Sequence, residues 1–375
     1  MSTREEDVFK RFRISREFGF LLENPDVELP SKYYEWQNLA SQVSSLLGTE
    51  ELDDRIRSLP LLEIDNLKTH KQLRLAHLIL CTLSSAYLFA EPTTPKLVLC
   101  KAIAKPFYEV SQKLGISAVP THGTVCLANW KKIDDNTEWN SENLDIIAFR
   151  FLPQRDNAWF FVNTAQVEKD LAASISSIAL LVAKADKCEQ ISDDEYACCF
   201  DIIGRGLRNA VITMNKLKSH LRPEVFYHGF RHYLNGYNDS PFHEQGGLVF
   251  EGCDLGPQTM SGASAAQSSA IPTIDAFLRI AHGVSESDFL NSQLDFMPVP
   301  HREFILWVKK NSTDEVKKAR GYIEVVSELC AFRSNHIKIV ASYIVNVKKY
   351  SRASMGTGGT SFMHFLKTIR NNCQK

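Results

Sequence analysis

Apolar positions along the chain repeat mostly at intervals of three and four. Leu73, Ala76, Leu80, Leu83 and Tyr87 fall on one face of a helix, and Glu91-Pro92 ends that segment. Residues 32–120 read mostly as helices in this way. Two-residue alternation, the mark of a half-buried strand, is scarce. Short strands are expected only near Val125–Leu127 and Ile146–Phe151, where β-branched and aromatic residues cluster. The polar stretch Lys131 to Leu144 reads as a loop, and Leu152-Pro153 marks a boundary. Helical patterning resumes from Ala158. Val167 to Ala185 is alanine-rich and apolar all round, the pattern of a buried helix. Ser192-Asp-Asp-Glu195 sets a hydroxyl cap three residues before an acid, which predicts a helix start. Asp201 to Leu221 and Val316 to Val347 carry helical periodicity as well. Two stretches interrupt the pattern: Gly236 to Thr273, with six glycines, and Ser351–Thr360, which ends Gly-Thr-Gly-Gly-Thr. The expectation is an all-α protein, with a small N-terminal domain over residues 1–152 and a larger helical domain over 153–375.

Composition narrows the function classes. The 375 residues suffice for about two domains at roughly 100–200 residues each. With 44% hydrophobic and 23% charged residues, a large core is possible. A net charge of −1 makes no electrostatic case for nucleic acid or an anionic membrane as partner. The polar start Met-Ser-Thr-Arg-Glu-Glu-Asp is followed by no apolar run of the secretory type. Apolar runs such as Leu78 to Leu83 and Ile178 to Val182 fall short of the roughly 20 residues that span a bilayer. Nine scattered cysteines with no C-x-x-C pair argue against a disulfide framework or a zinc ribbon, and fit reduced thiols in the cytoplasm.

Several segments carry candidate chemistry. Leu329, Phe332, His336, Ile339 and Tyr343 share a helical face, so the His336 imidazole points at the core. It is either a hydrogen-bonded core histidine or an axial metal ligand, since neutral imidazole is the usual proximal haem ligand. Arg333 lies near the same face and could pair with a haem propionate. In Phe226-Tyr-His-Gly-Phe-Arg231, two rings share a face beside an arginine. Such a group can hold a flat apolar body and grip a carboxylate, or simply pack as a core helix with a snorkelling arginine. His228 and His232 stand four apart without an H-E-x-x-H pattern, and read as a solvated pair. Ser261 to Ser269 is rich in small residues that allow backbone to approach a flat ligand. Gly356-Thr-Gly-Gly-Thr360 lacks the lysine of a phosphate-binding loop and reads as a mobile lid. No Ser–His–Asp order or paired-carboxylate motif stands out.

Taken together, these segments resemble the indoleamine 2,3-dioxygenases. The matching blocks are Cys126-Leu-Ala-Asn-Trp-Lys-Lys132, Trp159-Phe-Phe161, Phe226 to Gly236, Gly247-Leu-Val-Phe-Glu-Gly252, Gly262 to Ser269, Pro300-His-Arg302, Arg333-Ser-Asn-His336 and Gly356-Thr-Gly-Gly-Thr360. They follow the family's order from about residue 120 onward. Gly19-Phe-Leu-Leu22 and Leu59-Pro-Leu-Leu62 match more loosely.

The resemblance implies haem b between a small and a large helical domain, with His336 binding the iron on the proximal side. It implies Arg333 as a propionate partner, Asp275 as an acid near the haem, and Ser264 and Ala265 on a loop above the iron. Phe160, Phe161 and Phe226 would wall the indole, and Arg231 would pair with the substrate carboxylate. Thr164 would sit on the distal side, and Thr360 would close on bound substrate. The implied reaction opens the indole of L-tryptophan with O2 to N-formylkynurenine, in the kynurenine pathway. An electron donor would keep the haem ferrous, and a monomer is the family expectation. Three departures mark this chain. His122 falls where vertebrate members carry tyrosine, Thr164 where they often carry serine, and the loop between Val347 and Gly356 is shorter. Two alternatives share the scaffold: a myoglobin-like O2 carrier, as in some molluscs, and a low-turnover signalling paralogue.

Overall fold

The computed structural model describes residues 5–347 and 362–373. The fold is all-α, as expected. Its helices are α1 (Glu5–Phe12), α2 (Tyr34–Leu46), α3 (Glu50–Arg57), α4 (His70–Leu88) and α5 (Lys101–Leu114). A single turn, α6 (His122–Val125), precedes α7 (Arg155–Asp170), α8 (Ala172–Asp186), α9 (Asp193–Asn215) and the short α10 (Leu217–His220). Then come α11 (Ala270–Leu278), α12 (Val284–Leu294), α13 (Val299–Asn311), α14 (Tyr322–Val340) and α15 (Phe362–Asn372). The predicted start at Ser192 is present: its hydroxyl accepts from the Glu195 N–H, and the Glu195 carboxylate returns the bond.

Helices α2 to α5 pack on one another, and α7, α8 and α14 gather around α9. Gly206 lets α9 approach closely, since a Cβ there would lie 2.5 Å from the Ser174 hydroxyl. The N-terminal α1 docks on α8 and α13, elements from much later in the chain. Among the described residues no helix is long and apolar enough to cross a membrane.

Among the described residues, named strands are confined to two-residue pairs. Val98–Leu99 (β1) runs parallel to Val249–Phe250 (β4), and Lys131–Lys132 (β2) runs antiparallel to Leu144–Asp145 (β3). The expected strands lie elsewhere and are not strands. Val125–Leu127 closes the α6 turn, with the Val125 N–H bonded to the Thr121 carbonyl at 2.9 Å. Residues 146–151 bury Ile146, Phe149 and Phe151, yet their backbone meets side chains instead of a partner strand. The Ile147 and Ala148 N–H groups donate to Asn129 Oδ1, Phe149 donates to Thr82 Oγ1, and Phe151 donates to Asn157 Oδ1. β-Branched composition registered burial there, not pairing. The single buried helix expected over Val167–Ala185 is two helices that break at Leu171. The second buries one face, through Ala172, Ile175, Ile178, Ala179 and Val182.

Two segments wind as π-helix, Val225–Phe230 and Ala341–Val345. Such turns often occur at functional sites. Here both border one cavity.

Candidate functional site

A cavity of about 290 Å³ opens between α6, α7, α11, α14 and α15, and a second lobe of about 210 Å³ adjoins it. Phe160, Leu234, Ser264 and His336 are among the residues lining both lobes. Helix periodicity builds much of the wall. On α7, Phe160, Asn163, Thr164, Val167 and Glu168 recur at helical spacing and face inward. On α14, Phe332, Arg333, His336 and Ile339 do the same.

His336 shows part of its ring to the cavity. Burial lowers its pKa to about 4, so the imidazole is neutral near pH 7 and keeps a lone pair to give. Arg333 and Asp275 also line the cavity, joined side by side. Arg333 Nη2 donates to Asp275 Oδ1 at 2.7 Å and Oδ2 at 2.5 Å. Its Nη1 donates to Cys373 Sγ at 2.6 Å and the Ile369 carbonyl at 3.4 Å. Burial alone would raise the Asp275 pKa; the Arg333 guanidinium and His282 outweigh it and hold the carboxyl below its ordinary value. Both terminal nitrogens of the expected propionate partner are thus already engaged within the protein.

The second lobe holds Phe226 and Arg231. The Phe226 ring stands 4.9 Å from Phe160 and 6.1 Å from Tyr343, so the two π-helical segments meet there. The Arg231 guanidinium lies over the Tyr227 ring at 5.5 Å, and burial lowers its pKa. Ser264 and Ala265 line both lobes. Their loop is seated by backbone: Ala263 N–H donates to the Leu234 carbonyl at 2.9 Å, and Tyr237 N–H to the Met260 carbonyl at 2.7 Å. Glycine is required at this crossing, because a Cβ on Gly262 would sit 2.2 Å from the Leu234 oxygen.

Thr164 lines the first lobe and donates its hydroxyl to the Phe160 carbonyl one turn back, at 2.7 Å. His122 also lines it, on α6, with Nε2 2.8 Å from Glu168 Oε1. Burial opposes charge on this imidazole, yet Cys126 and Glu168 raise its pKa to about 10.

Not every expected residue reaches the cavity. Phe161 is turned into the core, 5.6 Å from Phe149 and 6.2 Å from Phe230, and lies outside the lining. The Phe161 ring points away from both lobes, whereas the neighbouring pairs Asn163–Thr164 and Val167–Glu168 on the same helix both reach the first lobe. His228 is exposed, whereas the His232 ring is largely buried with its pKa lowered to about 4, so the two are not a solvated pair. Thr360 and the Gly356–Thr360 motif lie outside the described residues. Sequence reasoning missed Asn163, Glu168 and Ser268. Continuing the α7 stripe from Phe160 and Thr164 by one turn would have found Glu168.

Among the described residues no group of three or more His, Cys, Asp or Glu is placed to hold a metal ion. A metal on His336 must therefore bring further donors with it, as a porphyrin does. The apolar walls and the single neutral imidazole fit such a group.

The Indoleamine 2,3-dioxygenase family profile matches residues 8–375. The chain is 31% identical to human indoleamine 2,3-dioxygenase 2 over 385 residues, covering 96% of this chain and 93% of that protein. It is 29% identical to rat (Rattus norvegicus) indoleamine 2,3-dioxygenase 1 over 394 residues, covering 98% and 95%. It is equally close to an abalone (Haliotis madaka) myoglobin: 30% identical over 383 residues, covering 97% of each. A cavity lined by His336, Arg231 and the 262–269 loop, inside an all-α fold matched along nearly its whole length, therefore places this chain in the indoleamine 2,3-dioxygenase family.

Proposed function

We propose that this protein is a haem dioxygenase that cleaves the indole 2,3 double bond of L-tryptophan with O2, giving N-formylkynurenine. The observation that carries the reading is one continuous cavity with a neutral imidazole, His336, and a buried guanidinium, Arg231, on its walls. Haem b would be held by His336, beside the Arg333–Asp275 pair, and would supply O2 activation when bound. Both oxygen atoms enter the product, so turnover consumes no external electrons; a donor serves only to keep the iron ferrous.

The chain's own residues supply placement. Arg231 would turn its guanidinium to a substrate carboxylate in a largely apolar surrounding, where an unpartnered anion is costly. Phe160 and Phe226 present ring faces to a flat indole. Thr164 already hydrogen-bonds its own helix, so its hydroxyl tunes the site and does not carry the reaction. Nine free thiols fit a reducing cytoplasm.

The abalone myoglobin makes oxygen carriage the second reading. Arg231 separates the two, because O2 has no carboxylate to hold. The test is steady-state turnover and tryptophan-induced spectral shift on the ferrous holoprotein and on Arg231→Leu. A charge-assisted bidentate contact is worth about 1.5–3 kcal/mol, so the variant should bind tryptophan roughly 10- to 100-fold more weakly. Absence of turnover in the parent, or unchanged affinity in the variant, overturns the tryptophan reading.

A further inference from the structure

Behind the α6 turn, outside both lobes of the cavity, positive charge gathers with no acid to balance it. Arg74 on α4 is 3% exposed. Its Nη2 donates to the Gly123 carbonyl. Its Nε and Nη1 have no hydrogen-bond partner among the described residues, yet neither is sealed from solvent. His70, one turn earlier on the same helix, is half-buried. Arg13, just after α1, is exposed, and its Nη1 lies 2.5 Å from His70 Nδ1. The Arg13 backbone is left-handed, at φ 50°, which is uncommon for a residue with a Cβ. Burial, Arg74 and Arg13 together lower the His70 pKa to about 3, and burial and Arg13 lower that of Arg74 to about 10. His301 on α13 feels the same cluster: burial first, then Arg74 and His70, lower its pKa to about 3. No acid among the described residues acts on His70 or Arg74.

A buried charge is ordinarily paired, because the water withdrawn from it must be replaced. Arg74 has one carbonyl and a neighbouring cation instead. Its free nitrogens are donors, so the partner they lack is an acceptor, and the surrounding charge selects an anionic one. Two guanidiniums on different elements, with an imidazole between them, suit an ion with several oxygens and more than one negative charge. A single carboxylate would answer only one of them.

We propose that Arg13, His70 and Arg74 form a binding site for a small oxyanion of the phosphate class, seated between the end of α1, the start of α4 and the α6 turn. Arg13 and His70 form its solvent side and Arg74 its floor. None of the three lines the cavity, so the site stands whether or not the protein cleaves tryptophan. A bound anion balances Arg74 while that residue holds the Gly123 carbonyl, and so steadies the turn that carries His122.

Two measurements on the full-length protein test the site: calorimetry with inorganic phosphate, and thermal unfolding in phosphate against chloride at equal ionic strength. Phosphate should bind, and should raise the unfolding temperature by several degrees more than chloride does. Arg74 also supports the α6 turn, so the decisive variant is Arg13→Gln, which changes an exposed side chain. It should weaken phosphate binding about tenfold, the size of one charge-assisted bond. Arg11→Gln removes the same charge from an exposed position outside the site, and should cost less than about threefold. Phenyl phosphate is the second probe: tighter binding than that of phosphate assigns the site to a phosphorylated molecule, and weaker binding assigns it to the free ion. Absence of binding heat and of stabilisation beyond chloride overturns the inference. Parent-like affinity in Arg13→Gln overturns it too, as does equal weakening in Arg11→Gln and Arg13→Gln, which marks general charge attraction alone.

Discussion

The cavity wall on α7 and α14 and the wall on residues 225–236 and 262–269 hold their side chains by different means. On α7 and α14, one regular helix sets Phe160, Thr164 and Glu168 in line, and another sets Phe332, His336 and Ile339. Each backbone position is set by its own helix, although Glu168 is also held by His122 and Ser268. The other wall has no such repeat. Arg231 follows a π-helical turn, and Ser264 rides on a loop seated by backbone bonds to residues 234–237. The α6 turn, which carries His122, is similarly propped from outside. Buried Arg74 on α4 donates to the Gly123 carbonyl, and the His77 ring contacts Thr124 Oγ1 at 3.1 Å and the Ser117 carbonyl at 3.2 Å. The difference teaches where a substitution acts. On the regular wall it should act through the side chain removed; on the propped wall, remote support matters as much.

His336→Ala gives the sharpest local case. The fold should survive, since α14 keeps its other buried face, while haem content falls to near zero. Soret absorbance per protein, beside helical circular dichroism, reads both. Parent-like haem content would end the assignment of His336 as ligand and the contrast built on it.

Acid tests two buried histidines, His77 beside the α6 turn and His301 on α13. His77 is fully buried and His301 is 4% exposed, and burial lowers both pKa values to about 3 from an ordinary 6.5. Above pH 6.5 neither state is protonated and nothing is lost. Below it, the unfolded chain binds protons that the folded chain refuses, so stability falls with pH. At pH 5 the loss is about 2 kcal/mol for each, or about 4 kcal/mol together. His122 runs the other way. With its pKa raised to about 10, its stabilisation is complete below pH 6.5 and is lost only as pH climbs toward 10, so it leaves the acid slope alone. Urea unfolding near neutrality and near pH 5 measures the difference; equal free energies would show that these rings are not held neutral.

The smallest effect is expected for Thr164→Ala on the regular wall. The lost bond is one turn of the helix's own, so turnover should fall by less than about tenfold with haem intact. Near-complete loss of turnover would mean that the hydroxyl acts on the substrate directly, and that even this wall is not simply local.

Local pattern made the site legible where local structure builds it. His336 and Arg333 were readable because α14 repeats with helical period, whereas Phe160 and Thr164 were expected only from the family resemblance. Phe161 was expected in the wall from the family motif, but its ring packs into the core beside Phe149 and Phe230. The strands expected near Val125 and Ile146 failed because composition reports burial and not what satisfies the backbone. Asn129, Thr82 and Asn157 supply those bonds from elsewhere in the chain.

By itself the sequence determined the helical class, the Ser192 cap, the inward stripe of α14 and the family's ordered motifs, all of which follow from spacing over a few residues. Only the tertiary structure decided that Arg333 is engaged by Asp275 and Cys373, that Glu168 meets His122 and Ser268, and that Arg231 and His336 share one cavity. Those pairings join residues tens of positions apart. Periodicity fixes which face a side chain takes, but only packing selects the partner it meets there.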